Sequence, residues 1–180
     1  LGGVVTTIPC GLSSAPGSAQ LTLREDFENG SSTGNAAIVI DDGQDEQRVT
    51  MTISLDTLDR AAGSLAIERL DVIKLDVEGH EDLALLGARS TLERHRPVLF
   101  TEMNRAYFRR RRVDAYDAMR LALPDGYRAY RVLPKRAPVS APSVDRVVHI
   151  NSFDSCAELE NVLWIHDDAR GRVETVVPVR

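Results

Sequence analysis

Short apolar runs alternate with amphipathic stretches along most of the chain, a pattern that is typical of an α/β domain. Alternating or β-branched runs predict strands over residues 4–8, 20–24, 37–40, 48–53, 71–78, 98–102, 127–133 and 161–165. Helical spacing of apolar residues predicts helices over 55–62, 80–94 and 114–123. The strand, helix and strand between residues 71 and 102 therefore predict a parallel βαβ unit.

One connection and the C-terminal tail complete this outline. The acidic loop 41–46 contains an Asp-Gly step, so the strands on either side of it are predicted to form a β-hairpin. From Asp167 onward the sequence allows either an edge strand or a frayed tail. The chain has 180 residues and no internal repeat, so we expect one domain over 1–180, with 167–180 as a possible tail.

The central predicted strand carries charges that a buried strand rarely tolerates. Lys74, Asp76 and Glu78 are two residues apart, so a strand directs their three side chains to one face. Buried charges are unfavourable unless they pair with each other or with a ligand. Gly79 then ends the strand. The pattern predicts a ligand site at this strand end; the alternative is a strand that emerges into water with solvated charges.

A second strand end places another carboxylate beside the first. Glu102 ends the next predicted parallel strand, and such ends lie side by side at the edge where open α/β sheets bind ligands. Side chains there could position a hydroxyl group, act as a general base or hold a divalent cation. The candidates for this chemistry are Asp76, Glu78, Glu81 and Glu102.

The one basic cluster, residues 109–112, follows the Glu102 strand and would border the same site. It is preceded by Tyr107 and Phe108, and basic residues beside aromatic rings can bind phosphate groups. This favours an anionic substrate, whereas the alternative interpretation is a solvated helix start.

Composition narrows the classes of partner. The chain is 43% hydrophobic and 27% charged, and its formal net charge of −5 argues against nucleic-acid binding. It has no stretch of about 20 apolar residues that could span a membrane. We therefore expect a cytoplasmic protein that acts on a small molecule, while the oligomeric state stays open.

The octapeptide Lys-Leu-Asp-Val-Glu-Gly-His-Glu, residues 74–81, closely resembles the Lys-Ile-Asp-Val-Glu-Gly-x-Glu signature of the FkbM-type S-adenosylmethionine-dependent methyltransferases. Further segments resemble this family in a consistent order between about residues 4 and 165. They are Gly30-Ser31-Ser32, Leu55-Asp56-Thr57-Leu58-Asp59, Leu85-Leu86-Gly87-Ala88, Arg96-Pro97 through Glu102, and Asn161-Val162-Leu163. Ser54 stands where the family usually has Thr.

The resemblance implies a Rossmann-like methyltransferase sheet with helices on both faces and an inserted β-hairpin region. It also implies methyl transfer from S-adenosylmethionine, usually to a hydroxyl oxygen of a sugar or natural product. The expected catalytic residues are Asp76 and Glu78, with Lys74 as their partner. The expected substrate contacts are Glu81, Glu102, His80, Ser31 and Ser32, and the residues expected to border the cofactor are Cys10, Gly11 and Leu12.

The front part of the family pattern is not found in this sequence. Members begin with a strand and a glycine-rich turn, followed by a strand that ends in an acid, and these parts hold the methionine and ribose of the cofactor. We therefore expect an N-terminally incomplete fold and a longer natural protein. We expect that the 180-residue chain alone does not transfer methyl groups. We also expect its affinity for S-adenosylmethionine to be weaker than micromolar.

Two other functions stay open. The lost cofactor motifs favour a non-enzymatic, partial α/β domain that serves as a binding module, although the retained carboxylates disfavour it. The same carboxylates could also support metal-assisted hydrolysis.

Overall fold

The computed structural model describes residues 5–22, 36–41, 43–45, 49–134 and 144–175, which form an α/β fold. The strands within these residues are β1 (Gly11–Leu12), β2 (Gly17–Thr22), β3 (Ala37–Ile38), β4 (Thr50–Asp56), β5 (Val72–Leu75), β6 (Val98–Asn104), β7 (Tyr127–Pro134), β8 (Val144–Ile150) and β9 (Leu159–His166). The α-helices are α1 (Leu58–Ser64), α2 (Glu81–Leu86), α3 (Arg89–His95), α4 (Arg105–Arg110), α5 (Ala115–Ala122) and α6 (Arg170–Glu174). A 3-10 turn, Asp167–Ala169, precedes α6.

The larger sheet has the strand order β5-β6-β9-β7-β8. Strands β5 and β6 are parallel, which confirms the predicted βαβ unit. Strand β9 is antiparallel to both β6 and β7, so β6 and β7 run in the same direction on either side of it. Strand β8 pairs with β7 at the far edge. Among the described strands, β5 is the other edge, so the charged segment lies at a border of this sheet.

The two faces of the larger sheet are packed differently. Alternate strand residues such as Leu75, Leu99 and Trp164 pack under α2, α4 and α5 in the main core. The residues between them point to the opposite face, where Ile165 packs with Ala169 beside the short α6. The Rossmann-like arrangement with helices on both faces stays a prediction.

The smaller sheet has the order β1-β4-β2-β3, and two predictions about it are wrong. Strands β3 and β4 do not form a hairpin, because β2 lies between them and is antiparallel to both. Residues 5–8 are exposed and not in a strand; the first strand is Gly11–Leu12, which runs parallel to the end of β4. The chain thus pairs with distant rather than neighbouring segments here.

The helix predicted over residues 80–94 is two short helices, α2 and α3, separated at Gly87. A Cβ on Gly87 would lie 2.0 Å from the carbonyl oxygen of Ser13, so only glycine permits this approach to the smaller sheet. Asp59 accepts hydrogen bonds from the backbone N–H groups of Ser90 and Thr91, which satisfies the start of α3. The break therefore docks the helix pair against both α1 and β1.

Candidate active site

The carboxylates lie at the end of β5, in a turn of residues 76–79 that we name the carboxylate turn. The predicted strand 71–78 is too long, because β5 ends at Leu75. Glu78 has a φ of 50° and Gly79 a φ of 87°, so both residues adopt the left-handed region. Such a conformation is unfavourable for a glutamate and is held only where the surroundings fix it. Glu78 is therefore presented by a turn rather than by an extended strand.

Lys74, Asp76 and Glu102 form one connected polar group. The ammonium of Lys74 donates to Asp76 Oδ2 at 2.7 Å, and Glu102 on β6 is hydrogen-bonded to Asp76. Burial raises the pKa of Glu102, and the neighbouring Asp76 charge raises it further. Two carboxyl groups that share a hydrogen bond retain a proton more readily than either would alone. The predicted meeting of these strand ends is confirmed.

Glu78 lies beside this group but has a different partner. Its Oε2 accepts a hydrogen bond of 3.0 Å from the side-chain amide of Asn104, the last residue of β6. Glu78 also lines a cavity of about 210 Å³ together with His80 and Leu83. The sequence analysis missed Asn104 because the predicted strand ended at Glu102, whereas β6 continues to Asn104 and so places both residues on the same face.

Glu81 is fully buried and stabilises the carboxylate turn from behind. Its Oε1 accepts hydrogen bonds of 3.2 Å from the backbone N–H groups of Val77 and Gly79. Burial raises the pKa of Glu81 to about 7, against the lowering effect of these backbone hydrogen bonds. Among the described residues, Oε2 has no hydrogen-bond partner. Glu81 is therefore placed to shape the turn; its expected role as a substrate contact stays a prediction.

His80 connects the carboxylate turn to the smaller sheet. Its Nε2 lies 3.1 Å from the hydroxyl oxygen of Ser13, which directly follows Cys10, Gly11 and Leu12. Burial lowers the pKa of His80, and the Arg111 guanidinium lowers it further, so the imidazole is neutral at pH 7. The half-buried segment 10–12, expected to border the cofactor, is thus adjacent in sequence to a residue that contacts the site.

The basic run is engaged in ion pairs. Arg109 pairs with Glu158 at the surface, and Arg110 pairs with Asp45 at 2.7 Å in a largely buried position. Arg111 pairs with Asp82, also at 2.7 Å. These contacts give the run a structural role at the end of α4, a helix that the sequence analysis did not predict.

Some expectations are outside what the described residues can show. Ser31 and Ser32 lie outside the described ranges. Within those ranges, no group of three or more His, Cys, Asp or Glu residues has an arrangement that could hold a metal ion. No helix among the described residues is long and apolar enough to cross a membrane.

An α/β fold with carboxylates at the ends of parallel strands is typical of enzymes that bind small ligands at that edge. Comparison with known protein families matches residues 4–132 to the methyltransferase FkbM domain. The match covers well over half of the chain and includes every described residue of the site, so the chain belongs to the FkbM methyltransferase domain family. Searches of curated proteins and of solved structures found no match.

Proposed function

We propose that the protein is an S-adenosylmethionine-dependent methyltransferase that methylates a hydroxyl oxygen of a small molecule, a sugar or a natural product. Membership of the FkbM domain family supports methyl transfer. The observation that carries the proposal is the position of Glu78, which is held by Asn104 at the ends of parallel strands and borders a cavity. A carboxylate in that position can receive the proton of an acceptor hydroxyl.

The chemistry requires alignment more than covalent catalysis. When bound, the cofactor supplies an electrophilic methyl group on a positively charged sulfur. Glu78 would accept the hydroxyl proton as the oxygen–carbon bond forms and the bond between the methyl carbon and the cofactor sulfur breaks with its electron pair left on sulfur, so the acceptor oxygen would not become a free alkoxide. The Asn104 amide fixes one carboxylate oxygen, which leaves Glu78 Oε1 to face the acceptor. Holding the two reacting groups in line supplies most of the rate enhancement in such a step.

Asp76 and Glu102 fit a supporting role better than the role of base. The Asp76 carboxylate is already bonded to Lys74 and Glu102, and burial together with the Asp76 charge raises the pKa of Glu102. With Glu78, the site holds three carboxyl groups beside one ammonium, a surplus of negative charge that suits a cationic sulfonium. Residues 10–12 would border the adenine of the cofactor, as the family resemblance implies.

The test compares single carboxyl substitutions in the 180-residue chain and in the longest form that its gene encodes. Methyl transfer from isotopically labelled S-adenosylmethionine to a panel of sugar and natural-product alcohols is followed by mass spectrometry. Glu78→Gln should lower turnover by about 100-fold or more, whereas Glu68→Gln, at an exposed carboxylate, should leave it unchanged. Asp76→Asn should have a smaller effect than Glu78→Gln.

The same measurements can contradict the proposal. Unchanged turnover in Glu78→Gln would show that Glu78 is not the base. A larger loss of turnover in Asp76→Asn than in Glu78→Gln would indicate that Asp76 is the base instead. Absence of transfer in both forms of the protein, with every alcohol, would favour the binding-module alternative.

A further inference from the structure

The cavity beside Glu78 is bounded by two different parts of the fold. One wall is residues 38–40, which include the end of β3, and the other is formed by Gly79, His80 and Leu83 at the start of α2. Its volume of about 210 Å³ exceeds that of a cavity of about 150 Å³ known to bind benzene. A six-membered ring therefore fits beside the carboxylate.

The described lining is mostly apolar, and its polar side chains are those of Glu78, His80 and Arg111. Residues 38–40 are Ile, Val and Ile, and Leu83 adds a fourth apolar side chain to the lining. Arg111 also lines the cavity, but its guanidinium is bound to both carboxylate oxygens of Asp82 at 2.7 Å. The imidazole of His80 is neutral, as described above. Among the lining residues that the structure describes, Glu78 is the remaining charged group, and it repels anions.

The wall of residues 38–40 is held in place by a buried ion pair. Asp45 Oδ2 accepts a hydrogen bond from the backbone N–H of Ile40 and also from the Arg110 guanidinium at 2.7 Å. The side chains of Asp45 and Arg110 are only 3% and 14% exposed. A wall fixed in this way keeps the cavity open before a ligand arrives, which lowers the entropy cost of binding.

We infer that this cavity binds an uncharged apolar ring or branched alkyl group of the acceptor, next to the hydroxyl group that is methylated. The inference rests on the proposed function, since it specifies the acceptor of that reaction. A purely hydrophilic sugar would leave the walls at residues 38–40 and Leu83 without an apolar partner. Glu78 would repel an anionic group of the acceptor at this position. Arg110 and Arg111 would not compensate, because both are already paired with aspartates.

The test uses three glycosides, of which the second lacks the ring of the first and the third adds a carboxylate to its sugar. Phenyl β-glucoside, methyl β-glucoside and phenyl β-glucuronide are titrated into the protein, and binding is followed by saturation-transfer NMR. The phenyl glucoside should bind at least about tenfold more tightly than the methyl glucoside, because one apolar group in such a pocket is worth this much. The glucuronide, with its carboxylate, should bind more weakly than the phenyl glucoside.

Two variants on one helix separate the cavity from general surface effects. Leu83→Trp fills the cavity and should weaken phenyl glucoside binding by at least about tenfold, whereas Leu86→Trp, at an exposed position of α2, should not change it. If thermal melting shows that Leu83→Trp does not fold, Ile40→Trp fills the cavity from the opposite wall. Equal affinities for the two glucosides, no saturable binding, or equal effects of the two helix variants would overturn the inference.

Binding is measured without turnover, so this inference and the proposed function can fail separately. Tight phenyl glucoside binding without methyl transfer to any alcohol would support the cavity and contradict the proposed function. Methyl transfer that uses both glucosides equally well would support the proposed function and contradict the cavity.

Discussion

Arg111 and Asp82 are joined by two parallel hydrogen bonds, Nη1 to Oδ1 and Nη2 to Oδ2, each 2.7 Å long. The same Nη1 also donates to the carbonyl oxygen of Gly79 at 2.7 Å. The side chains of Arg111 and Asp82 are 19% and 8% exposed, so water competes little for these bonds. One guanidinium just after α4 therefore ties the carboxylate turn to the start of α2.

Arg111→Ala should lower the free energy of unfolding by about 3 kcal/mol, because it leaves Asp82 and the Gly79 carbonyl buried without their donor. Arg109→Ala is the matched control in the same basic run. Its ion pair with Glu158 is exposed, so the change should cost much less than the loss of Arg111. Urea denaturation measures both. Similar losses in the two variants would contradict the structural role of Arg111.

Gly79→Ala should be destabilising by at least about 2 kcal/mol, because it combines a left-handed backbone with a steric clash. The φ of Gly79 is 87°, and a Cβ there would lie 2.1 Å from the Cβ of Tyr107. Gly63→Ala is the control: it lies in α1, and a Cβ there meets nothing within 4 Å. That variant should be neutral or slightly stabilising by thermal melting.

Stability should fall with rising pH in a way that depends on Glu81. Its pKa is 4.5 in the unfolded chain and about 7 in the folded protein, so between these values the folded state binds the extra proton. The free energy of unfolding therefore decreases as pH rises from 4.5 through 7. Relative to Glu81→Gln, the wild-type protein should lose roughly 3 kcal/mol over this range.

Denaturation of both proteins at several pH values checks this expectation. The other carboxyl groups are present in both proteins, so their titration cancels in the difference. Curves that stay parallel from acid to neutral pH would show that folding does not change the pKa of Glu81 and would contradict this expectation.

Asp59→Ala should lower the free energy of unfolding by about 1–2 kcal/mol, because it removes the cap of α3. The Asp59 carboxylate accepts from the Ser90 and Thr91 N–H groups and from the Thr91 hydroxyl. Burial opposes ionisation, but these hydrogen bonds outweigh it and lower the Asp59 pKa. The cap is therefore fully present above pH 3.8 and is lost as pH falls through the lowered pKa.

Thr57→Ala is a useful comparison for this cap. Thr57 accepts one hydrogen bond, from the Arg60 N–H at the start of α1, so its removal should cost less than removal of Asp59. Helix content and urea midpoints of the two variants provide the measurement. A larger loss in Thr57→Ala would contradict the assignment of Asp59 as the stronger cap.

Local periodicity predicted the elements whose partners are near in sequence. Helix α5 begins at Ala115, one residue after its predicted start at residue 114. The side chain of Asp114 caps it by accepting a hydrogen bond from the Asp117 N–H. The parallel pairing of β5 and β6 also followed from the alternation of strand and helix. By contrast, the split at Gly87 depends on Ser13, more than 70 residues earlier, and no local pattern reports such a contact.

The candidate site was predictable in its location but not in its geometry. Strand-end reasoning placed Asp76 near Glu102, and the structure joins them by a hydrogen bond. The alternation that suggested one charged face continues through Glu78 although the strand has already ended, because residue type does not reveal a left-handed φ. The role of the arginine run was ambiguous for a different reason, because its acidic partners come from segments that are distant in sequence. The catalytic and binding roles stay predictions.

The cavity beside Glu78 is lined from two separate parts of the fold. Residues 38–40 include the end of β3 in the smaller sheet, whereas Glu78 and Gly79 belong to the carboxylate turn, which follows β5 of the larger sheet. Exchange of the Ile, Val and Ile side chains at 38–40 would therefore reshape the cavity while the bonds among Lys74, Asp76 and Glu102 remain. Under the inference that this cavity binds the acceptor, changes at three neighbouring codons would alter the shape that the acceptor meets and leave the Lys74, Asp76 and Glu102 group intact.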